Sequence, residues 1–295
     1  MSRRLLVLSL GVVALSCAAV FVRLADAPPL AVAAFRLALA SLVLLPAGLI
    51  WAREEMGRLL RDDWRLLLLG GMLLALHFVL WIASLSQTTV ASSVVLVTAT
   101  PVFVALSSWL LFRERLRRAT FAGIAVSLAG ALLIGYAGLQ HGGSALSGNL
   151  LALLAAMAVA GYLLIGRRMR RNAGLLAYST VVFTVSALVL LIAVVISGTP
   201  LRGYTAATYG AVLALALVPQ LLGHMSLNWA LRFLPATMVT VAILGEPVGA
   251  TTLAWFVLGE MPTLTEVVGA VLMLLGIGVA FLRGGQVPAR VDGGA

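Results

Sequence analysis

Lysine is missing from this 295-residue chain: all 20 of its basic residues are arginine. Without lysine, and without a glycine-rich turn leading from a strand into a helix, no phosphate-cradling loop exists and nothing supports an ATP-driven mechanism. Cysteine is reduced to Cys17, which excludes an intramolecular disulfide framework. The histidines stand apart from the further donors a tetrahedral metal site requires, so neither a metal nor a cofactor is expected. No residue is marked as a nucleophile, and an enzyme acting within the membrane is not expected either. Charge is scarce as well. Only 10% of residues are charged and 62% are hydrophobic, whereas a soluble chain carries about 25% charged residues. Water is the wrong solvent for most of this surface.

What remains is a series of apolar runs of about 20 residues, the length a helix needs to cross hydrocarbon. They lie near Leu5–Val22, Leu30–Trp51, Trp64–Leu85, Val90–Phe112, Phe121–Gly138, Leu150–Gly166, Leu176–Ile196, Ala206–Leu227, Ala236–Leu258 and Val267–Phe281. The first run, behind Arg3 and Arg4, is too long for a signal peptide and is followed by nine more. The net charge of +10 sits in short loops between the runs rather than on one basic face, so nucleic acid is not the partner. With the N-terminus in the cytoplasm, 17 arginines fall inside, Arg23 and Arg202 fall outside, and Arg36 lies within a run. That asymmetry specifies orientation and favours an even number of spans, with both termini cytoplasmic.

The chain repeats itself. A shift of 146 residues carries Leu85 onto Leu231, Pro101 onto Pro247, Val102 onto Val248, Trp109 onto Trp255, Glu114 onto Glu260, Gly123 onto Gly269 and Gly130 onto Gly276. Each half then holds five runs, residues 1–143 and 144–287, ahead of a short cytoplasmic tail at 288–295. Five is odd, so the second half must cross in the opposite sense. The expected fold class is an all-α integral membrane protein, with ten transmembrane helices in two inverted five-helix repeats. Secondary transporters built this way hold substrate near the midplane, between the repeats.

These residues resemble the drug/metabolite transporter superfamily, specifically its ten-span EamA-type exporters, over about residues 8–283. The first copy reads Pro101 to Trp109, Phe112-Arg113-Glu114-Arg115-Leu116, then Gly123 and Gly130. The second reads Glu246-Pro247 to Trp255, Leu258-Gly259-Glu260-Met261-Pro262, then Gly269 and Gly276. Arg36, in Ala33-Ala34-Phe35-Arg36, also looks like the family's pattern; Arg113 departs from it, standing where the family often has Gly. The resemblance implies export of a small metabolite across the cell inner membrane, with amino-acid-like or drug-like solutes as partners. Distant members of the superfamily imply an alternative, the translocation of lipid-linked or nucleotide sugars. A non-transporting receptor or scaffold is the reading of another class, and it would be expected to carry a soluble signalling domain.

Ionisable groups inside a bilayer cost several kcal/mol and mark functional candidates. Four lie within the runs: Arg36, His77, His224 and Glu246. Glu246 precedes Pro247, which removes a backbone donor and opens a local helix break, as Pro101 does in the first copy. It is a candidate for substrate ammonium or for proton coupling, or else a structural carboxyl. Arg36 can hold a substrate carboxylate, pair with Glu246, or bind helix-end carbonyls. His77 and His224, 147 residues apart, are either cavity donors or packing residues. Trp81, Trp229, Trp109, Trp255, Phe103 and Tyr162 are candidates to line a cavity by cation–π contact, although aromatics near span ends also serve as interfacial anchors. Gln220, Asn228, Ser92, Ser93, Thr98 and Thr100 fit a polar path between the halves or hydrogen bonds across helices. The repeated glycines let helices approach closely in lipid.

Overall fold

The computed structural model describes residues 3–112, 118–140, 143–234 and 236–282. Among these the regular structure is helical, without strands, as hydrocarbon dictates where a backbone N–H has only its own helix to bond to. In chain order the helices are α1 (Arg3–Ser16), α2 (Ala18–Leu24), α3 (Pro29–Trp51), α4 (Arg53–Asp62), α5 (Trp64–Leu85), α6 (Val90–Val97), α7 (Thr100–Phe112), α8 (Arg118–Gln140), α9 (Gly143–Met169), α10 (Leu175–Ser197) and α11 (Ala206–Leu215). A π-helical stretch, Ala216–His224, leads into α12 (Met225–Ala230). Then come α13 (Ala236–Ala242), a 3-10 turn at Ile243–Gly245, α14 (Glu246–Leu258) and α15 (Leu264–Leu282). Glu114, Arg113, Arg115, Arg117, Arg283, Arg290 and the tail at 288–295 lie outside the described residues, as does the side chain of Trp109.

Seven helical stretches are long and apolar enough to cross a membrane, and three further apolar helices are shorter. Their outward faces are greasy: Trp51 is 76% exposed, Leu132 75% and Ile196 81%. Lipid is the solvent that makes such exposure favourable.

Four of the expected apolar runs are interrupted. The first breaks at Cys17, the fourth at Thr98–Ala99 just ahead of Pro101, and the ninth at Ile243–Gly245 just ahead of Pro247. The eighth widens into π-helix around Pro219. Proline has no N–H and crowds the carbonyl four residues back, so an α-helix cannot pass through it unchanged. The helix α4 was not foreseen, because its apolar content is slight. It buries Met56 and Leu59, opens on Glu54 and Glu55 and closes on Arg61, which complements its dipole.

The tightest packing joins α8 to α15. A Cβ on Gly130 would meet the Gly269 carbonyl oxygen at 2.5 Å and Met273 N at 2.6 Å, and one on Gly276 would meet the Gly123 carbonyl oxygen at 2.6 Å. Ser127 Oγ donates to the Met273 carbonyl at 3.1 Å. Contacts that climb along α8 descend along α15, so the two helices are antiparallel. Only hydrogen at these positions allows the backbones to approach this closely. Elsewhere α5 packs on α9 and α3 on α10.

Candidate functional site

The helix irregularities meet in the middle of the bundle. Leu15 and Ala18 flank the Cys17 break, Thr98 and Thr100 the break between α6 and α7, and His224 ends the π-helical stretch; Ile243 and Glu246 bracket the 3-10 turn. All seven line one cavity, whose empty space is ≈ 510 Å³ with its open mouth included. A regular helix keeps its polar groups to itself, whereas an interrupted one turns carbonyls and side chains into the space it vacates.

Arg36, on α3, is 1% exposed. Its Nε donates to Gln220 Oε1 at 2.8 Å, and its guanidinium lies 4.1 Å from the centre of the Phe78 ring. A desolvated cation over an aromatic face gains about 2 kcal/mol, and a hydrogen bond from a charged donor about 1.5–3 kcal/mol. These contacts hold the guanidinium out of salt-bridge distance of every carboxylate among the described residues. The direct pair with Glu246 weighed in the sequence is not formed: among the described residues the ion pairs are Arg23–Glu260 at 2.9 Å and Arg58–Glu55 at 3.6 Å. Arg36 and Glu246 instead both line the cavity.

Around them stand His77, Trp81 and His224. The rings of His77 and Trp81 stack at 6.4 Å with planes within 1° of parallel. His77 Nδ1 donates to the Ala155 carbonyl at 3.0 Å, which assigns its proton, since a carbonyl only accepts. His224 lies 6.4 Å from His77 and 5.2 Å from Phe78, edge to face. Seven buried polar atoms lack a hydrogen-bond partner among the described residues, and four of them belong to this cluster: Arg36 Nη1, Trp81 Nε1, Gln220 Nε2 and His224 Nδ1. Three are donors outright, and a buried donor left unmade costs about 1–3 kcal/mol.

Arg36, His77, His224, Trp81, Gln220 and Glu246 are thus brought together. Tyr162, Asn228 and Trp229 are not. Tyr162 Oη donates to Asn228 Oδ1 at 2.6 Å, Asn228 Nδ2 to Ser179 Oγ at 3.2 Å, and Arg170 Nε to the Asn228 carbonyl at 2.9 Å. Arg170 also donates to the Ala173 carbonyl, and Arg167 to those of Leu231 and Leu234. This second network seals the end of α12. Trp229 packs on Phe233, 5.0 Å away. Pro101 and Pro247 each stand in the first turn of a helix that restarts after an interruption. Phe78 had no signal in the sequence, being one apolar residue in an apolar run. The glutamine after Pro219 was the visible sign that the eighth run is irregular. No group of three or more metal-ligating side chains occurs among the described residues.

A second opening runs between α1 and the α13–α14 segment, with ≈ 1240 Å³ of empty space including what lies open to its surroundings. It is lined by Leu8, Ser9, Val12, Cys17, Gly245 and Gly249 among others, none of them charged.

The EamA-like transporter family model matches the chain twice, at residues 3–136 and 146–282. The chain belongs to the EamA-like transporter family. It is therefore a membrane transporter and not an enzyme. Similar proteins include two from Bacillus subtilis (strain 168). The uncharacterized transporter YdfC is 27% identical over 255 residues, covering 85% of this chain and 81% of its own. The uncharacterized transporter YwfM is 27% identical over 260 residues, covering 85% and 84%. A solved crystal structure superposes with a TM-score of 0.71 at 21% identity, over 95% of this EamA-like chain and 97% of its own, and speaks for the fold alone.

Proposed function

We propose that this EamA-like transporter exports a small amino-acid-like or drug-like metabolite across the cell inner membrane by alternating access. Two inverted five-helix repeats, residues 1–143 and 144–287, rock about the cavity between them. The observation that carries this reading is the pair Arg36 and Glu246, which face one cavity without forming a salt bridge to each other. A zwitterion supplies both missing partners. Its carboxylate accepts from Arg36 Nη1 and Trp81 Nε1, and its ammonium meets Glu246 and the aromatic faces. Seven long apolar stretches and three shorter ones among the described residues support a count of ten spans. The inverted arrangement is supported by the doubled family match and by antiparallel α8 and α15, whose duplicated glycines meet crosswise, Gly130 on Gly269 and Gly123 on Gly276. The arginine distribution favours cytoplasmic termini, and Glu246 is the proposed proton-coupling residue.

The test is a thermal-shift screen of purified protein against amino acids, cationic drugs and sugar nucleotides, followed by vesicle flux. Stabilisation by zwitterions, lost in Arg36→Leu, is expected. Equal stabilisation of that variant would overturn the assignment. For coupling, Glu246→Gln should flatten the pH profile of flux, and an unchanged profile removes Glu246 from that role.

The lateral opening beside α1 favours a second reading, movement of a lipid-linked sugar. Its lining has no cation to hold a phosphate, which is why the central cavity is preferred. Stabilisation by sugar nucleotides alone would reverse that preference.

A further inference from the structure

At the end of the bundle where α2 stops and α6 begins, the two halves are stitched together by carboxylates. Glu260, between α14 and α15, takes Arg23 Nη2 at 2.9 Å on one oxygen and the backbone N–H of Val90 at 3.0 Å on the other. Arg23 also donates to the Thr88 carbonyl at 3.0 Å. Glu266, in the first turn of α15, accepts from Thr89 Oγ1 at 2.5 Å and from Ser92 Oγ at 2.6 Å, while its second oxygen takes Thr263 N at 2.8 Å and Thr263 Oγ1 at 2.9 Å. Four of these bonds, from Arg23, Thr89, Val90 and Ser92, join a residue before 143 to one after it. Charge-assisted bonds of this kind are the strong ones, and here they tie down the entrance of α6, which leads to Thr98 and the cavity.

The sequence makes this stitching one-sided. The 146-residue shift carries Glu260 back onto Glu114, but it carries Thr89 onto Pro235, Ser92 onto Met238 and Glu266 back onto Thr120. The carboxylate that grips the start of α6, and both hydroxyls it grips, have no polar equivalent of the same kind in the other copy. One end therefore carries two acidic anchors where the repeat supplies one to the other end.

We propose that Glu260 and Glu266, with Arg23, Thr89 and Ser92, form a latch that holds this end of the transporter closed and must open once in each cycle. The proposal rests on the alternating-access reading. In the orientation given above the latch lies on the extracytoplasmic side, so the structure is closed outward and the latch sets how often a loaded cavity is released. Weakening it shifts the resting population toward the outward-open form.

The test uses the full-length chain carrying Cys17→Ser and a reporter, Thr98→Cys, on the cavity wall. A membrane-impermeant maleimide is applied to right-side-out and to inverted vesicles. Glu260→Gln and Ser92→Ala should each raise labelling from the latch side. For Glu260→Gln the rise is on the order of tenfold, the response to about 1.4 kcal/mol; Ser92→Ala, which removes one hydroxyl, should give a smaller rise. Arg23→Gln should match Glu260→Gln, and it carries the test should that variant fail to fold. Latch-side labelling that stays unchanged in all three, while the reporter reacts from the opposite side, overturns the latch and leaves the transport pathway standing. A reporter that reacts from neither side in any variant overturns the pathway, and the latch with it.

Discussion

Arg36 and Gln220 are 184 residues apart in the chain, yet Nε of one donates to Oε1 of the other at 2.8 Å. The bond joins α3 to the π-helical stretch and fixes a buried cation at the cavity wall. Gln220→Leu would leave Nε unpaired and should destabilise the protein by about 1.5–3 kcal/mol. A lower melting temperature in detergent and a raised apparent KM in vesicle flux are the expected readouts. Gln220→Glu should retain stability by neutralising the guanidinium, and lose binding of carboxylate-bearing solutes.

Trp81 separates packing from recognition. Trp81→Phe retains an aromatic ring to stack against His77 but removes the unpartnered Nε1 donor together with part of the buried indole. Stability should fall by about 1–3 kcal/mol through the space left behind, while solute affinity of the folded variant falls roughly tenfold, the worth of one hydrogen bond. Binding titration of the folded variant checks both values.

Gly130 tests the α8–α15 seam. In Gly130→Ala the added methyl meets Gly269 O at 2.5 Å and Met273 N at 2.6 Å, which are backbone atoms that cannot turn aside. A loss of about 1–3 kcal/mol, or failure to accumulate in the membrane, is expected. Gly210→Ala, where no atom lies within 4 Å of the new methyl, is the neutral comparison.

Arg170 and Arg168 carry equal charge near one helix end, but Arg170 is 1% exposed and Arg168 is exposed. Arg170→Ala strips donors from the Asn228 and Ala173 carbonyls and should lower thermal stability by about 1–3 kcal/mol. Arg168→Ala should leave it within about 0.5 kcal/mol. Equal effects in the two would mean that charge count, and not capping, is what matters there.

Those two arginines also mark how far the sequence could be read. Charge counting reports which side of a membrane a loop prefers, and it treats Arg167, Arg168 and Arg170 alike. Only packing distinguishes the ones that bond to carbonyls. The apolar runs were legible because hydrocarbon demands their length, and Arg36, His77, His224 and Glu246 because each stands out against apolar neighbours. Pro101 and Pro247 announced two of the four interruptions; Pro219 sits in a third, but Pro46 lies within α3 without interrupting it. The break at Cys17 has no proline to announce it, and Phe78 has no contrast with the run around it. Tyr162, Asn228 and Trp229 were polar or aromatic in the right runs. A residue's place in a run does not say which way it faces, and the first two turned toward Arg170 instead.

The Ser127 hydroxyl reaches the carbonyl of Met273, the residue that stands opposite it after a shift of 146. A contact between a position and its own duplicate is what a symmetric dimer makes across its axis. In such a dimer every substitution is obeyed at two places at once. Once both copies share a single gene that constraint is lifted, and one face can gain a carboxylate, as at Glu266, while its twin becomes Thr120. The two faces of one chain can then differ in chemistry, as Glu266 and Thr120 do.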